Sequence, residues 1–174
     1  LFPPCFSNKY QSYGRTGIYW KNMGEIIKLA KFIDQSDKMQ LVGILTHAGQ
    51  TYHAKNVIEI KKIYTETARK MQQVKKELQK SGFDNIIVSV GDTPGSTVID
   101  NLDGVDELRP GNFVFYDVTQ SSLDVCKEEQ ISIAVACPVI SKYPERNEIV
   151  VYGGAIHLSK EYYEIEYNNT KVKS

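Results

Sequence analysis

Met39-Gln40-Leu41-Val42-Gly43-Ile44-Leu45-Thr46-His47-Ala48-Gly49-Gln50-Thr51-Tyr52 is an apolar run that breaks off into a polar cluster, and its reading decides the fold. Met39 to Thr46 reads as a buried strand, and the residues from His47 onward lie at its carboxyl end. A long helix is expected next, from about Ala54 to Lys80. Ile60, Ile63, Tyr64, Ala68, Met71, Val74 and Leu78 recur there at three- and four-residue intervals, with Lys, Glu and Gln between them. Ser81-Gly82 ends it, since glycine suits the position just past a helix terminus. A second strand, Asn85 to Val90, runs into Gly91-Asp92-Thr93-Pro94-Gly95-Ser96-Thr97.

Working outward, Asn22 to Ile33 predicts a helix, with Ile26, Ile27, Ala30 and Ile33 on one stripe. A third strand is expected at Phe113 to Tyr116, after the turn Arg109-Pro110-Gly111-Asn112. Buried strands alternating with helices point to an α/β fold with a parallel, helix-covered sheet. Right-handed crossovers permit a barrel or an open doubly wound sheet, and the pattern does not choose between them. Beyond Ser121 the texture changes. Ile131–Val139 and Glu148–Val151 read as strands around the turn Lys142–Asn147, and Tyr162–Ser174 as an edge strand. The expected division is an α/β unit over residues 1–120 and the start of an antiparallel β domain over residues 121–174.

Composition removes several functions. Lys plus Arg equals Asp plus Glu at 21 each, so no global field attracts nucleic acid or an anionic membrane. No apolar run approaches the roughly 20 residues that cross a bilayer, and no secretion signal is visible at the start. Cys5, Cys126 and Cys137 are odd in number and lack metal-type spacing. They read as free thiols in a reducing, cytoplasmic compartment. The chain opens at Leu1 rather than Met, and an upstream segment is expected.

Ligands of parallel α/β folds bind at the carboxyl ends of the strands. Three polar clusters fall there: His47–Tyr52, Gly91–Thr97 and Arg109–Asn112. The middle one offers glycines for close backbone approach and hydroxyls for phosphate oxygens, although a plain connecting loop has the same composition. It lacks the Gly-Lys-Ser/Thr ending of a Walker loop. His47 suits an acid, a base or a group stacked on a cofactor, or else a structural hydrogen bond. Tyr52 is a phosphate contact or a wall residue. Arg15 is a carboxylate or ring partner, or a solvated turn residue. His47, His53 and His157 have no spacing that would hold a metal, and no Gly-x-Ser-x-Gly elbow marks a serine nucleophile.

Taken together the segments carry more than a generic pattern. Tyr13-Gly14-Arg15-Thr16-Gly17-Ile18, Gly43–Tyr52, Val88–Pro94, Glu107–Asp117 and Gly153–Ser159 resemble, in order and separation, segments of the D-serine dehydratase / D-threonine aldolase family, relatives of alanine racemase. The resemblance runs from about Tyr10 to Glu161. It implies part of a (β/α)8 TIM-type barrel of the alanine racemase kind, running into a β domain and holding pyridoxal 5'-phosphate.

The same resemblance makes Tyr52, Thr93, Gly111 and Asn112 cofactor contacts, Gly91 and Asp92 are expected to bind the cofactor with them, and His47 and Arg15 fall near the cofactor ring. It implies a lyase acting on D-hydroxyamino acids, with racemisation or non-catalytic cofactor binding as alternatives. The substrate would be a small amino acid, and a homodimer is expected because a partial barrel bares sheet edges. The family's Schiff-base lysine lies upstream of the matched segments. Its histidine and cysteine ligands for a divalent metal lie downstream. The family's Asp-x-Gly turn appears here as Tyr10-Gln11-Ser12, and Leu45 stands where some members have a tyrosine.

Overall fold

A computed structural model of the chain describes residues 17–158, 164–167 and 170–173. Arg15, Cys5 and the segment Tyr10-Gln11-Ser12 lie outside these residues. The elements are α1 (Met23–Asp34), β1 (Gly43–His47), α2 (Val57–Lys80), β2 (Ile87–Gly91), α3 (Thr93–Val98), β3 (Glu107–Leu108) and α4 (Val118–Ser122). These are followed by β4 (Val139–Tyr143), β5 (Glu148–Val151), β6 (Glu164–Tyr167) and β7 (Thr170–Lys173).

Helix α2 is the scaffold on which the sheet rests. Asn56 caps it by accepting the Glu59 N–H at 2.9 Å, and Glu59 reaches back to the Lys55 N–H at 2.8 Å. Two orphan amides of the helix start are thereby satisfied reciprocally. This cap starts the helix at Val57 rather than Ala54; Gly49–His53 forms a separate 3-10 turn. Ile60, Tyr64, Thr67, Met71, Val74 and Leu78 form its buried stripe. At the far end the Gly82 N–H bonds Gln79 O and the Phe83 N–H bonds Leu78 O, with Gly82 at φ +93°. That is the Schellman closure, and glycine takes the left-handed angle without a Cβ clash.

Strands β1, β2 and β3 form one parallel sheet in that order, with His47 opposite Gly91 and Ser89 opposite Glu107. Ile44, Val88 and Val90 pack with Ile26, Ala30, Tyr64, Met71, Val74 and Leu78 into one core. Alternation puts Leu45, His47, Ser89, Gly91 and Glu107 on the other face. Three described strands make an open parallel arc with helices on one side, an α/β arrangement and not a closed barrel.

Two expected strands are corrected. The third strand is Glu107–Leu108, docked on β2 through Asp106 N to Val88 O and Arg109 N to Val90 O, both 2.9 Å. Phe113–Tyr116 instead lies within a turn closed by Tyr116 N to Asn112 O at 2.8 Å. Its apolar side chains misled the reading: Phe113, Val114 and Phe115 are exposed, and the segment joins no ladder. Residues 131–138 likewise pair with no strand, and the hairpin forms between Val139–Tyr143 and Glu148–Val151. Its turn contains Asn147 at φ 53°, within the expected segment. In the tail, β6 and β7 pair with each other as an antiparallel hairpin.

Candidate functional site

The three polar clusters meet at the carboxyl end of the sheet. His47 ends β1, and its ring stacks on Tyr52 with centroids 6.1 Å apart and planes at 26°. The 3-10 turn swings Tyr52 back over the next strand end, where its hydroxyl accepts the Thr93 N–H at 3.4 Å, a long contact. The Thr93 hydroxyl in turn accepts the Asn112 N–H at 3.1 Å. One hydrogen-bonded chain therefore joins loops that are 41 and 19 residues apart. Tyr52, Thr93 and Asn112 are together, and Gly111 adjoins them; a Cβ on Gly111 would meet nothing within 4 Å.

Local chemistry fixes each donor. Asp92 caps α3, Pro94 occupies its first turn, and Asp92 Oδ2 accepts the Gly95 N–H at 2.6 Å and the Thr51 hydroxyl at 2.9 Å. The Asp92 side chain is thus buried and turned inward, away from solvent. Burial pushes its carboxyl up to about 6, against the lowering effect of the Gly95 and Thr51 bonds. The ring of Tyr64 lies behind it: a Cβ on Gly95 would stand 2.5 Å from Asp92 Oδ2 and 2.8 Å from Tyr64 Cδ2. The side-chain amide of Asn112 donates to Asp117 at 2.6 Å, so its backbone N–H is the group turned toward Thr93.

Arg109, which opens the third polar cluster, takes a defined place here that its sequence position alone does not specify. Arg109, next but one after Glu107, lies over Gly91, with Nη1 3.4 Å from where a Cβ there would be. Its Nε donates to Ser89 Oγ at 2.6 Å and its Nη2 to Thr46 O at 3.0 Å. The Ser89 hydroxyl donates onward to Glu107. A fork held at two points and lying 3.5 Å from the Glu107 carboxylate is a fixed, ion-paired guanidinium at the mouth of the arc. Ser89 and Gly91 share the face opposite Val88 and Val90, and that alternation was the available signal.

The donor set suits a phosphate monoester: a phenol and a threonine hydroxyl, each oriented by a backbone N–H that it accepts, converge, with open space in front of Gly111. The two neighbouring carboxylates are engaged elsewhere: the buried Asp92 accepts from Thr51 and Gly95, and the exposed Asp117 accepts from the Asn112 side-chain amide and the Gln120 N–H. Among the described residues no group of His, Cys, Asp and Glu could hold a metal ion. Cys126 and Cys137 are free thiols. No described helix is long and apolar enough to cross a membrane.

Comparison with known proteins agrees with this fold. Residues 10–118 match the model of the alanine racemase N-terminal domain. D-serine dehydratase of Dictyostelium discoideum is 36% identical over 141 residues, covering 79% of this chain and 36% of that protein. D-threo-3-hydroxyaspartate dehydratase of Delftia sp. (strain HT23) is 30% identical over 123 residues, covering 71% of this chain and 32% of that protein. The solved structure of the Delftia enzyme superposes with a TM-score of 0.78 at 26% identity, over 85% of this chain and 39% of that one. The chain thus spans about a third of the length of these curated relatives. With the fold, the order of the clusters and more than half of its residues in agreement, the chain belongs to the alanine racemase N-terminal domain family.

Proposed function

We propose that this chain forms the phosphate-gripping part of a pyridoxal-phosphate-dependent lyase acting on a D-hydroxyamino acid. The observation that carries the reading is the hydrogen-bonded chain Tyr52–Thr93–Asn112 at the strand ends. The Tyr52 and Thr93 hydroxyls would donate to the phosphate, each oriented by the backbone N–H it accepts from Thr93 and Asn112, and Gly111 would let it come close. His47, stacked on Tyr52, would lie against the ring, and the Arg109–Glu107 ion pair would stand on that side of it. When bound, the cofactor supplies an electron sink for the charge left at Cα of an amino acid.

The residues on this chain bind and orient. Their fixed donors need no lysine to neutralise the phosphate, and the Ser89–Arg109–Thr46 bonds keep the guanidinium from swinging. Relatives that are dehydratases favour loss of water over racemisation. With this reading go a small amino-acid substrate, a homodimer, a cytoplasmic setting, and a divalent metal held by residues other than those described. The division into an α/β unit up to about residue 120 and a β unit after it belongs to the same reading. Titration of pyridoxal phosphate into the protein and into Thr93→Val tests it. A loss of about tenfold or more is expected for one removed donor to a charged group; unchanged affinity would contradict it.

A further inference from the structure

Asp92 stands next to Thr93 in the chain, yet its carboxyl is 1% exposed and cannot touch a ligand held in front of Thr93. Instead Oδ2 takes two hydrogen bonds from opposite directions. The Thr51 hydroxyl comes from the first loop, and the Gly95 N–H from the second. Each bond lies one or two residues from a donor of the site: Thr51 precedes Tyr52, and Thr93 lies between Asp92 and Gly95. The brace exists only because position 95 is glycine, since a Cβ there would strike Oδ2 and the Tyr64 ring. A carboxylate in such a place is costly to bury, and its second oxygen, Oδ1, has no partner. What it contributes must therefore lie in what Oδ2 holds.

We propose that Asp92 is a positioning residue for the phosphate site, a buried brace that ties Thr51 to the Gly95 amide and so sets where Tyr52 and Thr93 present their donors. The inference rests on the phosphate reading above and adds a residue that acts on the ligand only through others. It makes a specific demand: what matters is an acceptor at Oδ2, not the negative charge. Asparagine can accept both bonds through its carbonyl oxygen, with its NH2 group in place of Oδ1. Alanine leaves the Gly95 N–H unpaired inside the protein and the Thr51 hydroxyl tied only to the Ala48 carbonyl oxygen of its own loop, 2.8 Å away.

The test is the affinity of the protein for pyridoxine 5'-phosphate and for pyridoxine, neither of which carries an aldehyde to react with lysines. Asp92→Ala and Thr51→Val are expected to weaken the phosphorylated compound about tenfold and leave pyridoxine binding as it was. Asp92→Asn is expected to stay within about threefold of wild type, a rescue that a mere loss of packing would not show. If Asp92→Ala does not fold, the contrast between Thr51→Val and Asp92→Asn carries the same decision. Wild-type affinity in both Asp92→Ala and Thr51→Val, with Thr93→Val still weakened, would overturn the brace and spare the phosphate reading. So would Asp92→Asn falling as far as Asp92→Ala, since charge would then be the active property. Failure of the wild type to prefer the phosphorylated compound would remove the phosphate reading, and the brace with it.

Discussion

The backbone N–H of Asn112 donates to the hydroxyl of Thr93 across 3.1 Å, and this bond joins the loop after β3 to the loop after β2. Its consequence is that the third loop presents backbone, not side chain, to the site: the Asn112 amide is turned the other way, onto Asp117. Asp117 in turn caps α4 by accepting the Gln120 N–H at 2.9 Å. The site is therefore tied into a helix start on its outer side.

Gly111 separates ligand binding from stability. A Cβ there meets nothing within 4 Å, and the residue is not at positive φ, so Gly111→Ala should leave thermal stability within about 0.5 kcal/mol of wild type. The added methyl would stand in the open space that the phosphate would enter, and pyridoxal phosphate affinity should fall by about tenfold. Calorimetric melting and cofactor titration measure the two effects independently. A destabilised variant with intact affinity would place the glycine in the packing instead.

Asp92 makes stability depend on pH in an unusual direction. Burial lifts its carboxyl from 3.8 to about 6, so the folded protein holds that proton more tightly than the unfolded chain does. Stability from this group is fully present below about pH 4 and is lost as pH rises through about 6, a change on the order of 2–3 kcal/mol. Asp92→Asn removes the titration. Denaturant unfolding across pH 4 to 7 should show the variant gaining on wild type as pH rises; a constant difference would contradict the burial argument. Tyr64 lies beside the carboxyl and is held up to about 12 by burial and by Asp92, so it stays neutral throughout.

Tyr64 carries a second stability effect. Its ring is in the core and its hydroxyl is buried without a hydrogen-bond partner. Tyr64→Phe keeps the ring and removes the unsatisfied group, so the protein should become more stable by about 1 kcal/mol. A melting temperature that drops would mean that the hydroxyl has a partner in solution.

The legible parts of this molecule were those with a period. The α2 stripe from Ile60 to Leu78 and the apolar strands β1 and β2 repeat a burial signal every few residues, so the parallel sheet and the location of the polar clusters at its carboxyl end could be read directly. Strand β3 could not. It is two residues long, polar in composition, and defined by the free edge of β2, whereas the apolar Phe113–Phe115 nearby has no ladder to join. The Thr51–Asp92–Gly95 brace and the Ser89–Arg109 fork were hidden for a related reason. The Thr51–Asp92 and Ser89–Arg109 bonds are tertiary, between residues whose types are common in any loop, and only the register of β1, β2 and β3 brings them into contact.

The claim on which the rest depends is that one phosphate is held jointly by the second and third loops. Amide chemical shifts followed by NMR during titration with pyridoxal phosphate test this most directly. The Thr93 and Asn112 N–H resonances should move together along one binding curve, and pyridoxal at the same concentrations should leave them in place. Shifts confined to one of the two, or perturbations elsewhere on the chain with both amides unmoved, would contradict a shared phosphate site.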